Sequence, residues 1–492
     1  MEKKKVGFAS SIGFILAAAG SAIGLGNIWG FPYKTSQYGG AAFVLIYIGC
    51  VLLIGFVTMM AEMYIGRRAQ ANAVTAYKIV NKNLGWCGLV AVAIPAFIVC
   101  YYSVLGGWTV KYAMNSFSGN AGIIGTFSVN TGEVILYTFI FLLLSILIIM
   151  GGVEEGIEKM SKILMPVLFI ILVFVAVYSL TLGTGVKDGL EFYLRPDFSV
   201  INSKSILAAM GQAFYSLSLG MGIMITYGSY TGKEINVCRS CAMVCIFDTV
   251  VALLAGLAIF PAVAHFDPSL LASTKGVALM YIVLPEVFDS MGVMGQIISF
   301  AFFSMVVIAA VTSVVSLIEV VTQFVLQKFH ANRKRSTLIV AVVCFAVSIP
   351  VSISLGHVAI LEESSPALFG LDWLTFFDEV TNTVLMPVCA LFSCVLVGWI
   401  IKPDTAISEL NQSGSPLPGW LTKVFPVMIR FVTPALILAV EISGLISEVQ
   451  AGQNAVIDFA YGLIIVCALI YFIFLKNNHT GTNADEKLER KY

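Results

Sequence analysis

The run from Val134 to Met150, VILYTFIFLLLSILIIM, carries no charge over seventeen residues, and Ile163 to Leu182 does the same over twenty. About 20 such residues are needed to cross a hydrocarbon layer about 30 Å thick. A segment held in lipid has no water to satisfy its peptide groups, so it closes its hydrogen bonds internally as a helix. The rest of the chain agrees: 59% of its 492 residues are hydrophobic and 11% are charged, against roughly 25% charged in a soluble domain. The expected fold is all-α and polytopic.

Polar punctuation divides the apolar stretches into twelve spans, at about 10–37, 41–66, 87–116, 133–151, 161–183, 206–230, 238–265, 293–327, 336–355, 370–401, 424–448 and 455–475. An even number puts both termini on one side. Lys and Arg prefer the cytoplasm. With the amino terminus inside, the inner segments hold 21 of them, against 6 outside and Arg430 within a span. The expected location is the cell's inner (plasma) membrane, with both termini cytoplasmic. The opening MEKKKVGF runs into the first span without a small-residue cleavage site, so that span is expected to be retained.

Composition also excludes. A formal net charge of zero supplies no basic field for nucleic acid. His265, His330, His357 and His479 fall at span ends, in loops or in the tail, without HExxH, GxSxG or a phosphate loop, so an enzyme is not expected. Cys238, Cys241 and Cys245 have one metal-like spacing but no second pair, and read as small packing residues.

The first span contains GSAIGLGNIWGFPY, Gly20 to Tyr33. Glycine in a helix interior costs about 1 kcal/mol relative to alanine, so three glycines followed by Asn27 are expected to break the helix. Freed carbonyls suit a hard cation, and freed N–H groups suit an anion. Close packing of small residues is the competing reading, and Gly20-x-x-x-Gly24 fits it. The sixth span echoes the first with Ser216, Ser218, Gly220 and Gly222. Paired interruptions in two five-helix halves point to an inverted-repeat carrier with a midplane site. Thr312 and Ser313 in span eight, and Tyr101 and Tyr102 in span three, add hydroxyls.

Ionisable residues inside spans are costly and so are candidates for function. They are Glu62, Asp248, Glu319, Asp378, Glu379, Arg430 and Glu441. Asp248 has no basic residue near it in sequence, so it is either protonated or neutralises a cation. Glu319 and Glu441 read as helix-pairing residues.

GFILAAAGSAIGLGNIWGFPY, GQAFYSLSLGMG, TSVVSLIEV and GIEKMSKILMP closely resemble the bacterial amino-acid branch of the neurotransmitter:sodium symporter family, over Val6 to about Leu475. The resemblance implies twelve transmembrane helices in a 5+5 inverted repeat with helices 1 and 6 broken. The halves would be 1–183 and 184–401, followed by the last two spans (402–475) and a cytoplasmic tail (476–492).

It further implies two sodium sites. One would use the Ala22 carbonyl, Asn27, Ser216 and the substrate carboxylate, with Asp248 standing where relatives often have asparagine. The other would use carbonyls of Gly20, Ile23 and Ala309 with the Thr312 and Ser313 hydroxyls. The solute pocket would be lined by Ser21, Ala22, Leu25, Gly26, Ile98, Tyr102, Tyr215, Ser216, Ser218, Met221, Ser313 and Leu317. Leu25, Gly26 and the Tyr102 hydroxyl would hold the carboxylate.

The chain departs from the pattern in places. Gly30 stands where many relatives carry an arginine that pairs with the aspartate matched by Asp378, and Lys34, one turn on, is a candidate substitute. At the inner side Lys5 and Phe8 replace a usual arginine and tryptophan, and Gln327 stands where some relatives have an acidic partner. A fixed carboxylate at Asp248 would make co-bound chloride unnecessary. With no second charge in the pocket, and with Met221 at its side-chain end, the expected substrate is a neutral apolar or aromatic L-amino acid. A proton-coupled carrier using Glu62 or Asp248 is the nearer alternative, and a channel the further one. The oligomeric state is left open.

Overall fold

The computed structural model describes residues 7–232, 234–271, 278–359, 367–368, 371–412 and 417–451. Lys3 to Lys5, the expected twelfth span and the tail lie outside them. The first span is α1 (Ser11–Ala22) and α2 (Gly26–Gln37), bent by 49° at their junction. Four continuous helices follow: α3 (Ala41–Ala69), α4 (Lys82–Asn115), α5 (Thr131–Met150) and α6 (Val153–Ser179). The sixth span is again in two pieces, α7 (Ser203–Ser216) and α8 (Ile223–Ser229). Then come α9 (Val237–Phe266), α10 (Gly292–Phe329), α11 (Arg333–Leu355), α12 (Trp373–Ile401) and α13 (Gly419–Gly444). Eleven of the twelve expected spans are thus present among the described residues.

The helix lengths repeat. In α3 to α6 they are 29, 34, 20 and 27 residues, and in α9 to α12 they are 30, 38, 23 and 29. Each series is preceded by a broken span. Five spans is an odd number, so the second group enters the membrane from the opposite side, which makes the repeat an inverted one.

Helix starts follow side-chain caps. Ser10 accepts the Gly13 N–H at 3.0 Å to open α1, and Asn130, Asn202 and Asn236 do the same for α5, α7 and α9. The tenth span, expected from 370, starts as a helix at Trp373, capped by Asp372. The residues before it pair as a two-residue hairpin, Ala367–Leu368 with Leu371–Asp372.

The two longest helices, α4 and α10, pack along each other, and 72% and 78% of their apolar stretches are buried, against 33% for α5, α6 and α13. The first two are the inner scaffold and the last three are the lipid-facing shell. α1 packs on α6, α9 and α10, and α8 on α3 and α10, so the broken spans sit at the centre. Several spans also contain wide turns, among them Val51–Gly55 in α3, Leu396–Ile401 in α12 and Met428–Val432 in α13. Such turns leave main-chain carbonyls without helical partners. Two of these are capped from α13: Thr433 Oγ1 donates to the Leu53 carbonyl at 3.1 Å, and Arg430 Nε to the Gly398 carbonyl at 2.9 Å.

Candidate functional site

The two breaks are built differently. In the sixth span, six residues from Leu217 to Gly222 leave the helix, with φ of +55° at Ser218, +73° at Gly220 and +70° at Gly222. Glycine adopts that region freely, whereas for serine it costs roughly 1–2 kcal/mol. In the first span only Ile23 and Gly24 leave the helix, and no φ there is positive. Its glycines serve close approach instead. A Cβ on Gly24 would stand 2.4 Å from Ser313 Oγ and 2.7 Å from the Tyr102 hydroxyl, and one on Gly26 would stand 2.9 Å from the Tyr215 ring. The expected break is present at Ile23 and Gly24, and its glycines also make room.

That room is a narrow cavity of about 20 Å³ lined by Ser21, Ala22, Gly24, Gly26, Ile98, Tyr102, Tyr215, Ser218, Met221, Ser313 and Leu317. Ten of the twelve residues expected around a solute are on that wall. Leu25 and Ser216 are not: the Leu25 N–H donates to the Tyr102 hydroxyl at 2.9 Å, and Ser216 points into a neighbouring polar cluster. Gly24 joins the wall, a residue that the sequence marked only as part of the break. That volume holds about one water, so the walls must move apart to admit a solute. The breaks are also stitched together: Ser218 Oγ donates to the Ser21 carbonyl at 3.0 Å, and Ser21 Oγ to Ser218 Oγ at 3.3 Å.

Beside this cavity Asp248 is wholly buried and accepts three side-chain hydrogen bonds. Asn27 Nδ2 donates to it at 2.8 Å, Ser216 Oγ at 2.7 Å and Tyr47 Oη at 2.8 Å. Asn27 Oδ1 accepts the Gly24 N–H at 3.2 Å, so the amide spans from the break to the carboxylate. Tyr47 was not anticipated, because a tyrosine in an apolar run carries no signal of its partner. On the far side of α1, Ser313 Oγ donates to the Ser21 carbonyl at 3.1 Å, and Thr312 Oγ1 to the Ala309 carbonyl at 3.0 Å. A Cβ on Gly20 would be 3.4 Å from Thr312 Cβ, which places Gly20, Ala309, Thr312 and Ser313 around one point.

Further polar side chains surround the two breaks. Glu62 is buried below the sixth-span break and accepts the Gly220 N–H at 2.9 Å, while its second oxygen has no partner among the described residues. Gln212, also unanticipated, donates to the Gly26 carbonyl at 2.6 Å. Asp378 accepts hydrogen bonds from Tyr101 Oη, at 3.1 Å, and from Asn382. Lys34 forms no ion pair with Asp378 within 4.0 Å; its Nζ lies 5.9 Å from the Tyr33 ring centre.

The end of the bundle that carries Arg67, Arg68 and Arg333 is closed. Glu319 on α10 pairs with Arg333 on α11 and accepts Tyr230 Oη at 2.6 Å, a helix-pairing role. The Phe8 N–H donates to the Tyr230 carbonyl at 3.2 Å, and the Phe8 ring meets Phe14 and Tyr227 edge-on at 5.1 and 5.6 Å. Gln327 accepts from Asn72. Removing one member of a buried charge pair costs roughly 3–5 kcal/mol. Glu319→Ala is therefore expected to loosen this end, read as faster hydrogen exchange over Phe8–Ala17 with exchange in α4 unchanged; equal exchange in both proteins would show that the pair does not hold the end shut.

Comparison with known proteins gives a consistent set of likenesses. The family model described as the sodium:neurotransmitter symporter family matches residues 5–123 and 123–477. An uncharacterised sodium-dependent transporter, YhdH, of Bacillus subtilis is 34% identical over 450 residues, covering 89% of this chain and 97% of its own. One from Methanocaldococcus jannaschii is 27% identical, covering 96% and 98%. Among solved structures, MhsT in complex with L-phenylalanine superposes with a TM-score of 0.81 at 38% identity, covering 89% of this chain and all of that one.

Proposed function

Since the chain belongs to the sodium:neurotransmitter symporter family, a family of sodium-dependent transporters and not of enzymes, we propose that it brings a neutral apolar or aromatic L-amino acid into the cell with sodium and without chloride. The observation that carries this reading is one juxtaposition. The backbone at the first-span break and the Tyr102 hydroxyl meet at one small cavity, and Asn27 links that break to the buried Asp248 carboxylate beside it.

In this reading the solute carboxylate is held by the N–H groups of Leu25 and Gly26 and by Tyr102 Oη. The first sodium lies among the Ala22 carbonyl, Asn27, Ser216 and Asp248, and the second among the carbonyls of Gly20, Ile23 and Ala309 with Thr312 and Ser313. It is Asn27 Nδ2 that faces Asp248 in this geometry. Coordinating a cation there requires the amide to turn by half a revolution and present Oδ1. Asp248 supplies the negative charge beside the cation, which removes the need for an anion from solution.

Each sodium moving inward gains about 2.3 kcal/mol per 100 mV, and about 1.4 kcal/mol is a factor of ten. One sodium thus supports more than tenfold accumulation of a zwitterion. Spans one, two, six and seven would rock against three, four, eight and nine, within repeats taken as 1–183 and 184–401. Both termini would be cytoplasmic.

The test is uptake of labelled phenylalanine or leucine into proteoliposomes, with sodium or choline outside. The expected result is saturable accumulation that needs sodium, is indifferent to chloride, and is competed by phenylalanine, tryptophan, tyrosine and leucine but not by glutamate or lysine. Uptake indifferent to the cation would overturn the reading. Glu62, with its unpartnered oxygen, favours proton coupling as the second reading, and accumulation driven by a pH gradient in choline would select it.

Met221 lies on the cavity wall with Ile98 and Leu317. Thioether chains adapt to different partners, whereas a phenyl ring is stiff. Met221→Phe is therefore expected to weaken tryptophan binding about tenfold, a cost of ~1.4 kcal/mol typical of overpacking, and to leave leucine within twofold. Equal losses for both solutes would remove Met221 from the selectivity argument.

A further inference from the structure

Arg430 lies inside a span yet takes no part in the site above. Its Nε caps the Gly398 carbonyl at 2.9 Å, and Trp399 Nε1 donates to the Arg430 carbonyl at 3.2 Å. The backbones of α12 and α13 meet closely here: a Cβ on Gly398 would stand 3.0 Å from the Ile429 carbonyl oxygen. The two terminal nitrogens of the guanidinium have no acceptor among the described residues and are not buried. An arginine in a span normally points inward or finds a partner, so this one has donors to spare.

Its depth tells where they point. α12 ends at Ile401, three residues beyond Gly398, which is about 4.5 Å along the helix axis. Trp399 is 42% exposed and Trp420 on α13 is 64% exposed, as befits tryptophans at a membrane–water boundary. Lys402 directly follows α12, and Lys423 stands two turns before Arg430 on α13; both are exposed. The side chains facing outward beside Arg430 are apolar, with Val427 at 53% and Phe431 at 55% exposure. A planar guanidinium fits a phosphate through two parallel hydrogen bonds, and a neighbouring apolar face suits acyl chains.

We propose that Arg430, Lys402 and Lys423 form a binding site for an anionic phospholipid at the basic end of the α12–α13 seam, with the Arg430 guanidinium on the phosphate and the chains over Val427 and Phe431. The site is separate from the cavity, and the proposal stands whatever the cavity carries. A bound lipid would also fix the arginine that caps Gly398, and so would hold α13 against α12.

The test uses the full-length protein in neutral detergent micelles doped with phosphatidylglycerol or phosphatidylcholine, or supplied with inorganic phosphate. Retained lipid is read by native mass spectrometry, and the unfolding midpoint is read alongside. The expected result is preferential retention of phosphatidylglycerol with a raised midpoint. The preference should weaken about fivefold for each charge removed in Lys402→Gln and Lys423→Gln, which remove exposed side chains. It should be lost in Arg430→Gln, whose amide can still cap Gly398, and only partly kept in Arg430→Lys. Equal retention of the two lipids, an unchanged preference in these variants, or equal stabilisation by inorganic phosphate would overturn the proposal.

Discussion

In Asp248→Asn, the sodium concentration needed for half-maximal solute binding in chloride-free medium is expected to rise about a hundredfold or more, and added chloride is expected to recover part of that loss. Asparagine has the same shape: its oxygen keeps the Ser216 and Asn27 bonds now made to Oδ1 at 2.7 and 2.8 Å, and its amide donates to the Tyr47 hydroxyl, which now donates to Oδ2 at 2.8 Å and turns to accept, so the packing survives. What goes is a negative charge in a wholly buried position, beside the place where the cation is proposed to sit. Removing one partner of a buried charge pair costs roughly 3–5 kcal/mol, which is a factor of about 10² to 4 × 10³ in affinity. The measurement is sodium-dependent binding of labelled solute, with gluconate or chloride as the anion. A sodium requirement equal to that of the unaltered protein in both media would show that Asp248 does not balance the cation.

Gly24→Ala is expected to reduce solute affinity about a hundredfold while leaving the fold intact. The added methyl group would sit 2.4 Å from Ser313 Oγ and 2.7 Å from the Tyr102 hydroxyl, and neither neighbour is free to leave. Tyr102 accepts the Leu25 N–H, and Ser313 donates to the Ser21 carbonyl. The methyl must therefore displace the residues that line the cavity, and overpacking of this kind costs roughly 1–3 kcal/mol before any solute enters. Gly24 has no positive φ, so its backbone accepts alanine, which restricts the unfolded chain by about 0.4–1 kcal/mol, and the unfolding midpoint should stay within a few degrees. Affinity within about threefold of the unaltered protein, under ~0.7 kcal/mol, would mean that the wall yields and that glycine is not needed there.

The fold was largely legible because lipid imposes strict rules. The span expected at 133–151 is Thr131–Met150, and that expected at 238–265 is Val237–Phe266; a long apolar stretch and an asparagine cap mark each. The short helices between spans, such as Ala73–Val80 and Pro403–Asn411, were not separated, since amphipathic segments of eight or nine residues carry little periodic signal. The wide turns were illegible because no residue type marks a change from four-residue to five-residue bonding.

At the site, the letters gave the location and the structure gave the reasons. Gly20, Gly24 and Gly26 announced a break, but their conformations are ordinary and their value lies in what they admit. Ser218, which looks like one more hydroxyl, is the residue held in a left-handed conformation. Tyr47 and Gln212 could not be singled out, since each earns its place from a partner nearly 170 or more residues away. Glu319 read correctly as a pairing residue, although its partners Arg333 and Tyr230 required coordinates to name.

The bonds between Ser21 and Ser218 tie two kinks that belong to opposite halves of the molecule. Neither bent rod can straighten by itself without tearing a contact in the other, so their hinges operate as a single joint. A small molecule leaning on either arm would be felt by both at once.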